Sequence, residues 1–324
     1  MLYLALDMKM LSIGTATQDV FLMGDIFNPV SEHGELFEHL PLGAKLGVDN
    51  IAFTTGGNAS NSAVTFARQG MHSDFMGILG QDIAAQAIMN EFDLEGVGSR
   101  FVHQNERYKT SYSTILLAPS GERTIINYHG TDLRASGVDI RVEAVKDFDW
   151  LYVSSVGSFE LLERIISLAA KHDVRVAYNP SSREIEQPAK VRALLDDVTV
   201  LITNKEEMQQ LVEGKTAEEL ALHAGKLVPV AIVSDGARGA VAIDRTSMVT
   251  AGMYEDVKIV DRLGAGDAFG SGFTAMIAQG KSLPEAVTFA SANSTSVVTK
   301  VGAKTGILRK GAHVHEMPLK VKKL

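Results

Sequence analysis

Apolar residues gather in short continuous blocks through the middle of this chain: Trp150-Leu151-Tyr152-Val153, Val174-Arg175-Val176-Ala177-Tyr178, Val198-Thr199-Val200-Leu201-Ile202 and Val230-Ala231-Ile232-Val233. Blocks of this length, rich in β-branched and aromatic residues, predict strands buried on both faces. Between them, Phe159 to His172 and Thr216 to Leu227 carry apolar residues at helical spacing. Leu11-Ser12-Ile13 reads as the first core strand, and from about Phe75 onward strand and helix patterns alternate. That rhythm predicts a doubly wound α/β fold, with helices on both faces of a mostly parallel sheet.

Two segments break the rhythm. Phe21 to Phe53 is rich in Gly, Pro and His with little helical period. Thr110 to Tyr128 alternates apolar and polar residues on either side of Pro119-Ser120-Gly121-Glu122, which predicts a β-hairpin. Both segments, taken as residues 20–53 and 108–130, are expected to form a small sheet over a single domain spanning 1–324. A cover of that kind excludes water from a site where hydrolysis competes with group transfer.

The strongest chemical signal is Asp261-Arg262-Leu263-Gly264-Ala265-Gly266-Asp267-Ala268-Phe269, which leads from an apolar segment ending in Ile259-Val260 into a helix running toward Gln279. Gly264 and Gly266 allow backbone angles and close approaches that side chains block. Amides at a helix start lack intrahelical partners and sit at the positive end of the helix dipole, so Gly264, Ala265 and Gly266 form a candidate anion site. Asp267, in the first turn, is placed to accept a proton from an attacking hydroxyl. The alternative is a capping aspartate behind a tight turn. No Gly-x-x-x-x-Gly-Lys-Ser/Thr run occurs, and the dinucleotide fingerprint fails because Phe269 stands where its third glycine should be.

Other polar groups carry weaker signals. Gly56-Gly57-Asn58-Ala59-Ser60-Asn61 precedes a helix expected from Ala63 to Gln69; its two asparagines can present amides to neutral hydroxyls, or one can cap the helix. Asp19 follows the first core strand, where open α/β sheets bind ligands, and there it can accept hydrogen bonds from two hydroxyls. Asn204 and Glu207 either form a capping pair or orient the waters of a magnesium ion. Ser234-Asp235-Gly236-Ala237-Arg238-Gly239 is a turn between two strands, and a second helix is expected from Pro284 to Lys300.

Composition narrows the classes. Of 324 residues, 45% are hydrophobic and 22% charged, with a net charge of −8 and no long basic block, which argues against nucleic acid as the main partner. No cysteine is present, so disulfides, thiolate metal sites and a cysteine nucleophile are excluded. None of the nine histidines forms a metal pair on a helix. The opening Met1 to Leu6 is apolar but short, without a basic flank or cleavage site, so it is not read as a signal peptide, and Met8 or Met10 offers an alternative start. No apolar run approaches the roughly 20 residues that span a bilayer, and a cytoplasmic location is expected.

Taken in this order, the motifs resemble the ribokinase-like or PfkB family of sugar and nucleoside kinases, from about Leu11 to Gly306. The resemblance implies an α/β domain with a small β lid and transfer of the ATP γ-phosphoryl group to a hydroxyl, with Mg²⁺ and often K⁺. It implies that Asp267 is the base and that Gly264, Ala265 and Gly266 hold the transferring group. Asp19, Gly57, Asn58 and Asn61 correspond to the sugar site. Asn204 and Glu207 correspond to the magnesium and phosphate element, and Ser234, Asp235, Gly236, Ala237, Arg238 and Gly239 to the nucleotide loop. Ser291 and Asn293 are expected near the adenine. Asp261 with carbonyls of Leu263, Val297, Lys300 and Gly302 corresponds to the monovalent-cation site. The family also implies a homodimer through the lid. Asn58, Thr17 and the small run Ser154-Ser155-Val156-Gly157 stand where ribose kinases usually carry lysine, asparagine and glutamate, which points away from a strict ribose kinase.

Overall fold

The structure is a computed structural model and is described for residues 8–134, 140–254 and 257–324. The opening Met1 to Leu6 lies outside the described residues. A ten-stranded sheet runs, from one edge, Leu319–Lys323, Ser247–Ala251, Ala240–Ile243, Val230–Ser234, Val200–Asn204, Arg175–Asn179, Trp150–Ser154, Lys9–Gly14, His72–Leu79 and Gly98–Gln104. Seven of these, from Val230–Ser234 to Gly98–Gln104, pair in parallel, and the other three close one edge antiparallel. The apolar blocks became strands because both of their faces are covered. Leu151 and Val153 enter the core on one side with Leu162, Ile165 and Leu220, while Trp150 and Tyr152 enter the other with Phe269 and Phe273.

The chain starts mid-sheet at Lys9–Gly14, builds outward to Gly98–Gln104, then returns to Trp150–Ser154 on the other flank of the first strand. The carboxyl ends of Lys9–Gly14 and Trp150–Ser154 therefore mark the switch point where open α/β sheets hold ligands. The two strands approach closely there, since a Cβ on Gly14 would lie 1.8 Å from the Ser154 carbonyl oxygen.

A second, mixed sheet stands over this point, in the order Asn50–Gly56, Thr17–Met23, Ser111–Leu117, Arg123–Tyr128. The expected hairpin is its Ser111–Leu117 and Arg123–Tyr128 pair. The expected irregular segment contributes its two ends, while Val30–Glu32 and Glu35–Phe37 form a separate two-stranded ribbon. Phe21, Ile115 and Leu117 pack inward beside Leu263 and Val301, so this sheet rests on the glycine turn.

One boundary differs from expectation. The helix after the paired glycines is Asn58–Arg68, five residues earlier than the apolar pattern suggested, because Gly57 (φ 93°) is its cap. Neither asparagine caps it. At the end of the apolar segment before the glycine turn, Val260 and Asp261 donate their amides to the Val298 carbonyl. Among the described residues no helix is long and apolar enough to cross a membrane.

Candidate active site

The helix Ala265–Ala278 begins at Gly264, whose φ of 75° is the left-handed conformation that turns the chain into the helix without a side-chain cap. Asp267 is thus not a cap. Its Oδ2 accepts a hydrogen bond of 2.8 Å from Asn61 Nδ2, which joins the two glycine motifs across 206 residues of chain. Burial pushes the Asp267 carboxyl up to about 6, against the Asn61 hydrogen bond and the positive charge of Lys304. Asp19, 2% exposed on the small sheet, is likewise raised to about 6 by burial, which the Ser113 hydroxyl and Lys304 oppose.

Around these carboxylates lies a polar cavity of about 210 Å³, lined by Thr15, Thr17, Asp19, Gly57, Asn58, Asn61, Ser111, Ser113, Ile125, Asn127, His129, Leu263, Gly264, Asp267 and Ala303. All four residues expected at a sugar site are on its wall. Asn58 Nδ2 donates to Ser155 Oγ at 3.1 Å, and the Asn61 side-chain oxygen, Oδ1, is buried with no partner. Gly56 backs Asp19 so closely that a Cβ would lie 2.1 Å from its Oδ2.

A second cavity, about 140 Å³, lies on the far side of the same helix start. Ala265, Gly266, Ser234, Gly236, Gly239 and Ser291 line it, together with Phe269, Ser294, Thr295, Gly252 and Met253. A Cβ on Gly266 would meet nothing within 4 Å, so this glycine leaves room for a group against the first-turn amides. The structure does not bring Asn293 to this wall. Its Nδ2 donates to the Ala268 carbonyl at 2.7 Å and its Oδ1 accepts from the Leu308 amide at 2.8 Å, so both ends bind backbone in the core. Asp235 and Arg238 pair with each other at 2.8 Å through Nε and face a neighbouring cavity with Lys205, and Ala237 lines neither. The Arg238 hydrogen bond holds the Asp235 carboxyl below its usual range.

Asn204 and Glu207 form a reciprocal capping box, Oδ1 accepting the Glu207 amide at 2.8 Å and Oε2 accepting the Asn204 amide at 2.9 Å. The capping reading is therefore correct, and it leaves Glu207 Oε1 and the Asn204 side-chain nitrogen, Nδ2, for another partner. Burial raises the Glu207 carboxyl above its usual range. Asp261, 1% exposed, accepts the Leu263 amide at 2.9 Å and the Gly302 amide at 3.1 Å, so three of the expected cation-site residues meet directly. The Val297 carbonyl accepts the Lys300 amide at 3.1 Å, and the carbonyl that accepts the Asp261 amide is that of Val298.

Sequence reasoning missed Ser111, Ser113, Asn127 and Lys304. The first two share the face of Thr17 and Asp19 through the parallel register Thr17 to Ser111 and Asp19 to Ser113, a pairing that no local pattern announces. Lys304, 4% exposed, sits in a loop, and nothing in the sequence marks it as buried.

Residues from Gly264 to Asp267 thus contribute to the walls of two cavities, and comparison with known proteins gives the family. The sequence profile of the pfkB family carbohydrate kinases matches residues 20–310. The ribokinase of Haemophilus influenzae is 26% identical over 274 residues, covering 82% of this chain and 88% of its own. In fold, the chain is similar to Arabidopsis thaliana ribokinase complexed with ribose and ATP (TM-score 0.73, 20% identity, 93% of this chain and 96% of the other). It is similar also to the Burkholderia thailandensis nucleoside kinase in complex with inosine (TM-score 0.74, 18% identity, 92% and 94%). The chain belongs to the pfkB family of carbohydrate kinases, phosphotransferases that take an alcohol group as acceptor.

Proposed function

We propose that this chain is an ATP-dependent kinase that transfers the γ-phosphoryl group to a hydroxymethyl group of a pentose or hexose. One observation carries the reading: within a single helical turn, Ala265 and Gly266 line one cavity while Asp267 lines the other. A phosphoryl group held by the first-turn amides and a hydroxyl held by the polar cavity then meet beside Asp267.

In this reading the sugar lies among Asp19, Gly57, Asn58 and Asn61, whose acceptors and amides suit vicinal hydroxyls. Asp267, raised to about 6, is ionised at neutral pH yet basic enough to take the hydroxyl proton as the bond to phosphorus forms. The Gly264, Ala265 and Gly266 backbone holds the charge that develops on the transferring group. Glu207 and Asn204 are the residues that would hold a magnesium ion through its waters, and the chemistry it would supply is neutralisation of phosphate charge. The cavity bounded by Ser234, Gly236, Gly239 and Ser291 takes the nucleotide. Asp261, Leu263 and Gly302 are the residues that would hold a monovalent cation; both Asp261 oxygens already accept amides, so carbonyls must supply most of its ligands.

The small sheet acts as a lid over the sugar. Its outward face exposes Ile51, Phe53, Tyr112, Ile126 and Tyr128, all on one side of the strands, a patch suited to pairing with a second copy. Light scattering after gel filtration is expected to give twice the chain mass; a monomer at micromolar concentration removes the lid-paired dimer.

A nucleoside kinase is the rival within the family. Among the described residues no Phe, Tyr or Trp lines the polar cavity and His129 is the one ring on its wall, so a base finds little aromatic surface to stack on, which favours a free sugar. Purified protein with ATP and Mg²⁺ is expected to phosphorylate at least one of ribose, fructose and their relatives. Turnover of adenosine, inosine or cytidine but of no free sugar would reverse the assignment.

A further inference from the structure

Lys304 stands apart from every other charged side chain around the cavity. Among the described residues it is the only lysine or arginine that is buried, at 4% exposure, and it lies one residue beyond Ala303 on the cavity wall. Its Nζ donates to Thr55 Oγ1 at 2.5 Å and to Ser60 Oγ at 2.7 Å. Thr55 precedes Gly56 and Gly57, and Ser60 lies between Asn58 and Asn61, so the ammonium spans the glycine turn from the small sheet to the helix. The Phe92 ring, 5.7 Å away, closes the other side.

The loop that carries Lys304 is fixed from behind. Arg68 Nη1 donates to the carbonyls of Lys304 and Ile307 at 2.7 and 2.8 Å, and Arg68 is itself held by both oxygens of Glu95. A buried ammonium with two neutral hydroxyls and no carboxylate in contact is expensive to desolvate, and a hydrophobic residue of similar length would fill the space at less cost. Its positive field acts on both Asp19 and Asp267.

We propose that Lys304 is a positioning residue of the phosphoryl transfer: it braces the Gly56-Gly57 turn that presents Asn58 and Asn61, and it supplies the buried positive charge that balances Asp19 and Asp267. Two carboxylates on one small cavity repel each other and resist burial, and a cation beneath the floor lets both remain anionic while sugar hydroxyls replace water. The other charged groups facing the ammonium are Glu91 and Glu95 from the helix Ile83–Glu95 and Arg68 from the helix Asn58–Arg68. Those facing Asp267 are Lys304 and the Tyr152 hydroxyl, while Asp19 also senses Asp261 and Asp267. This inference rests on Asp267 as the base.

The test titrates carboxylates in protein labelled with carbon-13 aspartate and holding no ligand, the Asp267 signal being assigned with Asp267→Asn. Lys304→Met and Lys304→Gln are both expected to raise the Asp267 midpoint by about one pH unit. The glutamine retains donors for Thr55 and Ser60 without the charge, so it remains informative if the methionine variant does not fold. With the best sugar from the substrate panel, both variants should shift the acid limb of kcat/KM upward equally and raise KM for sugar but not for ATP, and Lys304→Arg should restore the parental limb. An unchanged midpoint in Lys304→Gln overturns the proposal, whatever happens to thermal stability. The titration needs no substrate, so a midpoint that moves in a protein phosphorylating neither sugars nor nucleosides would uphold the charge device and refute the proposed reaction.

Discussion

Asp267→Asn should lower kcat by about three orders of magnitude while leaving ATP affinity close to the parent value, since a positioned general base contributes roughly 10² to 10⁴ in rate. The asparagine keeps an oxygen for the 2.8 Å hydrogen bond from Asn61, so the helix start and both cavities persist. Turnover is measured with the panel sugar, and ATP affinity by calorimetry. The same variant should be more stable than the parent at neutral pH. The Asp267 carboxyl is raised from 3.8 to about 6 in the folded state, so between those values the folded protein binds more protons than the unfolded chain. Stability then falls as pH rises through the window, and above it the buried anion costs about 1 to 3 kcal/mol that asparagine avoids. Thermal melts of both proteins at pH 5 and pH 8 check this: the gap should widen at the higher pH. Parental turnover in Asp267→Asn would remove the assigned base. The pH profile follows from the same group, for a base titrating near 6 makes kcat/KM fall tenfold per unit below that value.

Why the fold could be read from the chain, and the site only partly, is visible in particular residues. Trp150 to Val153 and Val200 to Ile202 are buried on both faces, so a continuous apolar run was sufficient signal. Glycine motifs were equally legible, because Gly264 and Gly57 have positive φ angles that few other residues adopt. What failed to show was whatever depends on distant pairing. On sequence alone one of Asn58 and Asn61 can be a helix cap, and only the structure, with Gly57 as the cap and Asn58 as the first helical residue, removes that reading. Asn293 has the composition of a ligand residue, but only the packed structure reveals that the Ala268 carbonyl and Leu308 amide occupy both its ends. Lys304 lies in a Gly-bearing loop whose sequence does not mark it as buried, and its burial is created by Phe92, Thr55 and Ser60, which are all more than 200 residues away in the chain.

Gly264→Ala tests whether the turn is as tightly determined as its position suggests. The residue sits at φ 75°, where an L side chain costs about 1 to 2 kcal/mol. The added Cβ would also lie 2.3 Å from the Ala303 Cβ and 2.7 Å from its Cα, contacts that require one segment to move. Ala303 cannot easily yield, because Asp261 holds Gly302 on one side and Arg68 holds the Lys304 carbonyl on the other. Strain and overpacking together should lower stability by about 2 to 4 kcal/mol. The helix start is then the part that shifts, and the amides with it. Loss of aligned donors at a developing charge costs about 10² to 10³ in kcat, so turnover should fall by that amount even below the melting temperature. Gly266→Ala supplies the contrast: its Cβ meets nothing within 4 Å, so it should fold as well as the parent but crowd the nucleotide cavity and weaken ATP binding. Pairing Gly264→Ala with Ala303→Gly removes the 2.3 Å contact with the Ala303 Cβ but leaves the 2.7 Å contact with its Cα and the φ strain, so it should recover only a small part of the stability. Full turnover and unchanged melting in Gly264→Ala would mean that the first-turn amides are not what holds the phosphoryl group.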